Sequence, residues 1–168
     1  MNTLSIDIRK AEPRDAPAIA DVHHQAWRGA YAGIIPHRAL TTMVNRRGSD
    51  WWANAIRRAA SVLVIEVGGE VAGYATIGRN RSRELRQEGE IYELYIKPEC
   101  QGIGLGTRLF AAARERLAAH GLRGLVVWAL EDNGMACGFY EGAGGRDIAE
   151  GVEVFDQKAL KKIAFVWR

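Results

Sequence analysis

Three glycines alternate with other residues at positions 102, 104 and 106, in the segment QGIGLGTRLF, which leads into a predicted helix. A glycine in a regular element costs about 0.5–1 kcal/mol of backbone entropy relative to alanine, so a simple turn would not be expected to carry three. Unpaired N–H groups at a helix start bind phosphate, and glycine lets a ligand approach them closely. The segment therefore predicts a site for a phosphorylated ligand.

Two common phosphate-binding motifs do not fit this segment. The Rossmann fingerprint GxGxxG, counted from Gly102 and Gly104, requires a third glycine where the chain has Thr107. The P-loop requires a glycine–lysine pair, and none follows at the required distance. The pattern that the segment does match is QxxGxG, formed by Gln101, Gly104 and Gly106.

The QxxGxG pattern resembles that of the GNAT superfamily of acetyl-coenzyme A-dependent N-acetyltransferases. The segment LYIKPECQGIGLGTRL is similar to the fourth strand, pyrophosphate loop and third helix of that family. The segment LVVWALEDNGMACGFYEGAGG is similar to its fifth strand and the helix that follows. Together these segments cover residues 90–145, and the WRGAY helix near the N-terminus resembles the family more loosely. The chain is identified on this basis as a member.

The resemblance implies that acetyl-CoA is the co-substrate, and it assigns residues to its binding. The pyrophosphate would bind N–H groups from Gly102 to Thr107, where the helix dipole also favours negative charge. The pantetheine arm would pair with the backbone of the preceding strand, and an asparagine would hydrogen-bond the same arm. The implied cofactor residues are Leu94, Tyr95, Ile96, Gln101, Gly102, Ile103, Gly104, Leu105, Gly106, Thr107, Asn133 and Tyr140.

By the same resemblance, Tyr140 corresponds to the tyrosine that many family members use as a general acid on the departing thiolate. A phenol with a pKa of about 10 can supply a proton to a thiolate whose pKa is about 8.5. The alternative is a packed aromatic ring. The chain has Gly144-Gly145 where the family usually has Gly-Phe. We therefore expect either weaker cofactor affinity or locally rebuilt packing beside Tyr140.

Glu90 and Glu93 are the candidate general bases. The amine acceptor must lose a proton before it attacks, either to a carboxylate directly or through water. The two glutamates should face opposite sides of their strand unless a bulge lies between them, and the family places a bulge near here. Position 90 is where some family members carry their base, so Glu90 is preferred over Glu93. Either residue could instead be a solvated strand residue.

Aromatic residues of the N-terminal helices are candidates for the acceptor pocket. Trp27 and Tyr31 lie one helical turn apart on the same face, which would suit the wall of an amine cleft. Packing in the core is the alternative for each of them. Cys100 and Cys137 are not candidate nucleophiles, because transfer in the family is direct and neither has a histidine nearby in sequence.

Composition predicts one domain. A chain of 168 residues with 48% hydrophobic content has the size of one core, so residues 1–168 are expected to form a single N-acetyltransferase domain. The two cysteines have no CxxC or Cys/His spacing, so we expect neither a metal site nor a disulfide framework. The sequence shows no secretion signal and no long apolar run. We expect a cytoplasmic protein without a membrane partner.

The segment RNRSRELRQEG carries arginines at positions 79, 81, 83 and 86 and raises the alternative of nucleic-acid binding. Glu84 and Glu88 dilute this charge, and no aromatic residues interleave for base stacking. The net charge of the chain is only +3. We expect a solvated loop and no nucleic-acid partner.

Periodicity places these residues on alternating strands and helices. Leu4, Ile6 and Ile8 alternate as in a half-buried strand, and a helix should begin near Asp15. Residues 37–60 predict a helix broken at RRGSD. Two β-rich segments flank Gly68-Gly69, which predicts a hairpin, and later segments predict strand, helix, strand and short helix. Two terminal strands are expected near residues 148–155 and 160–167.

This order predicts an α/β fold with a mixed, mostly antiparallel central sheet and helices on both faces. The family resemblance adds a parallel pair, residues 91–96 and 125–130, whose strands splay apart to hold acetyl-CoA. The function implied is direct acetyl transfer to a primary amine of a small molecule, peptide or protein, and a homodimer is possible. A non-catalytic acyl-CoA sensor remains an alternative, which release of CoA thiol with any amine would reject.

Overall fold

The protein is described here by a computed structural model that covers residues 4–58 and 61–168. No helix in these two ranges is long and apolar enough to cross a membrane. The first elements are β1 (Ile6–Lys10), a 3-10 turn (Pro13–Asp15), α1 (Ala16–Tyr31), α2 (His37–Arg46), α3 (Ser49–Arg57), β2 (Ser61–Val67) and β3 (Glu70–Arg79). The remaining ones are β4 (Gly89–Ile96), a 3-10 turn (Pro98–Cys100), α4 (Leu105–Ala119), β5 (Leu125–Leu130), α5 (Gly134–Gly142), β6 (Arg146–Phe155) and β7 (Lys158–Trp167).

The strands form one seven-stranded sheet in the order β1-β2-β3-β4-β5-β7-β6. Every neighbouring pair is antiparallel except β4 and β5, which are parallel. Side chains alternate between the two faces of each strand, so that Val62 and Val64 pack on one side of the sheet and Leu63 and Ile65 on the other. The predicted mixed, mostly antiparallel α/β fold is confirmed.

Helices cover both faces of this sheet. Helices α4 and α5 supply Leu109, Phe110 and Tyr140 to one buried layer. Helices α1 and α3 supply Ile19 and Trp52 to the layer on the opposite face. Apolar residues recur at helical spacing along α1 and α4, and their burial against the sheet is what stabilises these amphipathic helices.

Most element boundaries agree with the predicted pattern. Helices α2 and α3 form the broken helix expected over residues 37–60, of which residues 59–60 lie outside the described ranges. The β2–β3 turn has positive φ angles of 60° at Gly68 and 85° at Gly69. A two-residue hairpin turn of type I′ requires positive φ at both central residues, and glycine adopts it easily. The first strand begins at Ile6 rather than Leu4, whose side chain is 65% exposed.

Strands β4 and β5 pair over only two positions, Gly89 with Leu125 and Glu90 with Val126. Beyond them β4 continues beside β3, while β5 continues beside β7 as far as Leu130 and Lys162. The edge of residues 91–96 that faces β5 therefore has no strand partner in the described part of the chain. This is the predicted splay of the parallel pair.

A bulge on β4 changes which residues share a face. Thr76 of β3 is opposite Glu93 and Ile77 is opposite Ile91, so Tyr92 is the extra residue. Glu90 is opposite Gly78, two positions from Thr76, and both glutamates therefore lie on the same face of the sheet. Without a bulge, Glu90 and Glu93 would lie on opposite faces of the sheet, and this arrangement is not the one observed.

Trp167 at the end of β7 packs beside Tyr140, in a chain that has Gly145 where the family usually has an aromatic residue. Its ring centroid lies 6.0 Å from that of Tyr140 and 5.1 Å from that of Phe110. Its indole N–H donates to the carbonyl of Ala143 at 3.0 Å. The packing next to Tyr140 is thus rebuilt from a distant strand, and Gly145 leaves the room for it.

Gly145→Ala should destabilise the fold. A Cβ at this position would lie 2.6 Å from Cζ2 of Trp167 and 2.8 Å from the carbonyl oxygen of Tyr140, so backbone or ring must move. We expect a loss of about 1–3 kcal/mol in the free energy of unfolding, measured by urea denaturation. Gly142→Ala is the control, because a Cβ there meets nothing within 4 Å. Equal stability of the two variants would contradict this packing.

Candidate functional site

Two cavities lie on either side of the opening between β4 and β5, and Tyr95 lines both of them. The first, here called the loop cavity, has a volume of about 450 Å³ and is bounded by α1, β4, α5 and the glycine segment. The second, here called the glutamate cavity, has a volume of about 500 Å³ and contains Glu90 and Glu93 in its wall. A molecule in one cavity would meet a molecule in the other at the opening.

The glycine segment presents a row of free backbone donors to the loop cavity. The backbone amides of residues 102–107 have no hydrogen-bond acceptor among the described residues. The next amide along the chain, that of Arg108, donates to the Gly104 carbonyl at 3.2 Å. Gly102 and Gly104 have left-handed φ angles of 83° and 87°, which glycine adopts without strain. With the positive end of the α4 dipole, these amides form an anion-binding cradle.

The predicted cofactor residues converge on the loop cavity with one exception, Ile103, whose side chain is 70% exposed and does not line it. Two of the others already have partners within the protein. The side-chain amide of Gln101 donates to the Ile96 carbonyl at 3.1 Å, and Oδ1 of Asn133 accepts from the Ala136 amide at 3.2 Å as the N-cap of α5. Both side chains therefore also hold the walls of the cavity in place.

Tyr140 enters the loop cavity from α5. Its ring is packed against Phe110, Phe165 and Trp167, and its hydroxyl has no hydrogen-bond partner within the described residues. Burial raises the pKa of Tyr140 above its ordinary value, with a smaller contribution from Tyr31. The phenol is thus protonated at neutral pH and has its proton free to donate to a ligand.

Glu93 stands at the centre of a buried polar chain in the glutamate cavity. Its carboxylate forms an ion pair with Arg47 and accepts a hydrogen bond from the Tyr74 hydroxyl at 3.0 Å. Because that hydroxyl has one hydrogen, Nδ1 of His23, 2.9 Å from the Tyr74 oxygen, must donate to it. Burial and then the charge of Arg47 lower the pKa of His23 to about 4, which keeps this imidazole neutral.

Glu90 is bound differently. Its carboxylate accepts from the Arg81 backbone amide at 3.0 Å and from the Arg81 guanidinium at 2.9 Å, and the residue is 2% exposed. The Arg81 guanidinium also lies 4.0 Å from the ring centroid of Tyr92. Glu90 therefore fixes the start of the loop between β3 and β4, the loop that carries the arginine cluster noted in the sequence.

Trp27 and Tyr31, the candidate residues for the acceptor pocket, both line the glutamate cavity. Their rings meet edge to face at 5.2 Å, and the Tyr31 hydroxyl lies 2.6 Å from that of Tyr95. Burial raises the pKa of Tyr31. This aromatic wall separates the two cavities and leaves an apolar surface beside the two glutamates.

Several residues of the site were missed by sequence reasoning. They come from separate parts of the chain and meet only in the fold, so no local motif joins them. Arg47 follows α2 at a helix break, yet it pairs with a strand residue 46 positions away. The missed residues are His23, Arg47, Tyr74, Trp128 and Lys162.

A combination of anion cradle, unpartnered phenol and carboxylates across one opening suits group transfer between a phosphorylated donor and a protonated acceptor. Comparisons with known proteins agree. The model of the Acetyltransferase (GNAT) family matches residues 21–144. An uncharacterized N-acetyltransferase, YuaI of Bacillus subtilis, is 31% identical over 162 residues, which cover 96% of this chain and 92% of that protein.

Two solved structures share the fold. The structure of yncA, a putative acetyltransferase from Salmonella typhimurium with its cofactor acetyl-CoA, aligns with a TM-score of 0.72 at 25% identity, covering 97% of this chain and 93% of that one. PaiA N-acetyltransferase from Thermoplasma acidophilum, in complex with coenzyme A, aligns with a TM-score of 0.76 at 19% identity, covering 94% and 98%. Since the family model spans well over half of the chain and the Bacillus relative nearly all of it, the protein belongs to the acetyltransferase (GNAT) family.

Proposed function

We propose that this acetyltransferase moves the acetyl group of acetyl-CoA directly to a primary amine, and that residues 1–168 act as one catalytic domain. The observation that carries the proposal is the row of acceptor-free amides at residues 102–107 beside the unpaired edge of β4. The sheet that holds both features runs from Ile6 to Trp167 without a second core unit, which supports a single domain.

The loop cavity fits a coenzyme A ester. A pyrophosphate carries the charge that the free amides and the α4 dipole favour. The extended pantetheine arm contains amide groups that can complete the unpaired edge of residues 94–96, which otherwise leaves backbone donors and acceptors without partners. The acetyl thioester would then reach the opening at Tyr95, where the two cavities meet. The carbonyl of Ile96 already accepts a hydrogen bond from Gln101, so the pantetheine amides would pair with the other backbone groups of this edge.

The glutamate cavity supplies the proton acceptor, and we infer that Glu93 rather than Glu90 has this role. Glu90 is committed to the backbone amide and guanidinium of Arg81, and it lies where β4 and β5 still pair. Glu93 lies beyond that pairing, two residues before Tyr95, and the Tyr74 hydroxyl holds its carboxylate at the cavity wall. This preference reverses the one drawn from the sequence, because the partners of the two glutamates were not visible there.

The resulting reaction balances as follows. The ammonium form of the acceptor loses one proton to Glu93, directly or through one water, and the neutral nitrogen forms a bond to the acetyl carbonyl carbon. The carbon–sulfur bond breaks, and the thiolate takes the proton of the Tyr140 hydroxyl. The nitrogen loses its second proton as the amide forms, water returns a proton to the Tyr140 phenolate, and Glu93 releases its proton to solvent. Burial raises the pKa of Tyr140, which keeps the hydroxyl protonated at neutral pH until the thiolate departs.

Gly104→Glu should abolish acetyl-CoA binding. The added carboxylate would stand in the amide cradle and repel the pyrophosphate, so we expect affinity to fall at least about 100-fold by calorimetry. Gly121→Glu is the matched control, because Gly121 also has a left-handed φ, 79°, and an added Cβ meets nothing within 4 Å, but it lies at the opposite end of α4. Full affinity of Gly104→Glu would exclude the loop as the pyrophosphate site.

Tyr140→Phe should lower kcat by about 10- to 1000-fold while the Kd for acetyl-CoA changes little. The phenylalanine ring keeps the packing against Phe110 and Trp167 and removes only the hydroxyl, which has no other partner in the described structure. Steady-state kinetics and calorimetry on the same preparation check this. A rise in Kd with unchanged kcat would instead make Tyr140 a packing residue.

Glu93→Gln should lower kcat/KM for the amine about 10²- to 10⁴-fold near neutral pH, with partial recovery at high pH, where the amine loses its proton unaided. Glu90→Gln is the matched comparison on the same strand face. It should lose stability, because the Arg81 contacts weaken, yet keep the wild-type dependence of kcat/KM on pH. If Glu90→Gln instead showed the large loss of kcat/KM with recovery at high pH, and Glu93→Gln kept the wild-type pH dependence, Glu90 would be the general base.

A further inference from the structure

The charged residues of the glutamate cavity are unevenly paired. Its two deep carboxylates, Glu90 and Glu93, are each bound to an arginine. The third acidic residue of the wall, Glu153, is exposed on β6. Four basic residues share the wall with these three acids, and they are Arg46, Arg47, Arg81 and Lys162. Four basic residues against three acidic ones leave the cavity wall with a net positive charge, which does not favour a polycationic acceptor.

Lys162 is the positively charged residue that faces the cavity from the sheet itself. It pairs with Leu130 of β5 and Gly151 of β6 in the middle of β7, and its side chain is half-buried. Its Nζ lies 4.8 Å from the ring centroid of Trp128, and a Cβ on Gly151 would lie 3.1 Å from its Cε. The indole and the bare glycine thus hold the ammonium group in place against the wall.

Within the described residues, no carboxylate lies within 4.0 Å of the Lys162 ammonium. The adjacent Lys161, on the opposite face of the strand, binds Glu131 at 3.0 Å and Glu150 at 2.8 Å. The contact with an aromatic ring does not neutralise a partly desolvated ammonium group, so the group can still bind an anion. The sheet thus pairs Lys161 with two carboxylates and leaves Lys162 without one among the described residues.

We propose that the acetyl acceptor is a small zwitterion, a molecule of amino-acid size with a primary amine and a carboxylate, and that Lys162 binds the carboxylate. This inference rests on the proposed acetyl transfer to an amine in the same cavity. The amine lies at the Glu93 and Tyr95 end, next to the opening, and the carboxylate at the Lys162 and Trp128 end. A volume of about 500 Å³ suits a molecule of this size, and Trp27 and Phe155 provide apolar walls for its side chain.

The test uses the full chain and a panel of common L-amino acids, each supplied as the free acid and as its carboxamide, with spermidine as a polycation. Release of CoA thiol is measured at saturating acetyl-CoA. For the best acid, Lys162→Met should lower kcat/KM about 10- to 100-fold, mainly by raising KM, and should change kcat/KM for the matching amide by less than about threefold. Lys162→Arg should restore most of the preference for the acid.

Lys161→Met is the matched control, since it removes the neighbouring charge from the other face of the sheet. It should leave the ratio of acid to amide activity unchanged. If Lys162→Met lowered kcat/KM equally for the acid and the amide, and Lys162→Arg did not restore it, Lys162 would be a packing residue. That result would overturn the inference but leave the proposed acetyl transfer intact. Wild-type preference for amides or spermidine would overturn it in the same way. Acetyl-CoA binding without turnover of any amine would remove the proposed function as well.

Discussion

The separation of β4 from β5 after two paired positions is the constraint on which the site depends. Each of these strands has a full partner on its other side, β3 for β4 and β7 for β5, so the sheet remains continuous although its centre is open. Backbone groups on the open edge of β4 would be costly if they were buried without partners. The opening thus gives the fold two cavities that approach each other at Tyr95 and an edge that an extended ligand can complete.

The two sides of this opening are built by different means, which explains how far the sequence could predict them. The groups of the loop cavity that we propose to bind the cofactor belong to the backbone, and an exposed backbone can be recognised from the local sequence. Gly102 and Gly104 adopt left-handed φ angles that glycine takes without strain, directly before a helix start. The sequence could therefore predict where this row of free amides and the strand before it lie. The glutamate cavity is built from side chains that converge from α1, the α2–α3 break, β4 and the terminal hairpin. Its charge pairs join residues such as Arg47 and Glu93, 46 positions apart.

Two local irregularities could be predicted only in part from the sequence, and both change which side chains meet. The bulge at Tyr92 depends on the register between β3 and β4, which is set by tertiary packing, and it brings Glu90 and Glu93 to one face. Gly145 stands where the local pattern usually has an aromatic residue, and the ring that packs beside Tyr140 is that of Trp167 at the end of β7, which is distant in sequence. In each case the sequence revealed a departure from a regular pattern, and only the fold showed what compensates for it.

The polar chain behind Glu93 has a direction that matters for catalysis. Neutral His23 donates to Tyr74, and Tyr74 donates to Glu93, so every hydrogen in the chain points toward the carboxylate. Arg47 adds a positive charge on the solvent side of the same group. A carboxylate held by a phenol and a guanidinium keeps one orientation, which suits the role of proton acceptor that we propose for it, because its surroundings need not reorganise. Tyr140, across the opening, differs from Glu93 because it is a hydrogen-bond donor without a partner. Its hydroxyl has no acceptor within the described protein, and burial raises its pKa. The fold thus places the proposed proton acceptor on one side of the aromatic wall and the proposed proton donor on the other, so that in the proposed reaction a proton is taken up on the amine side and supplied on the thiolate side.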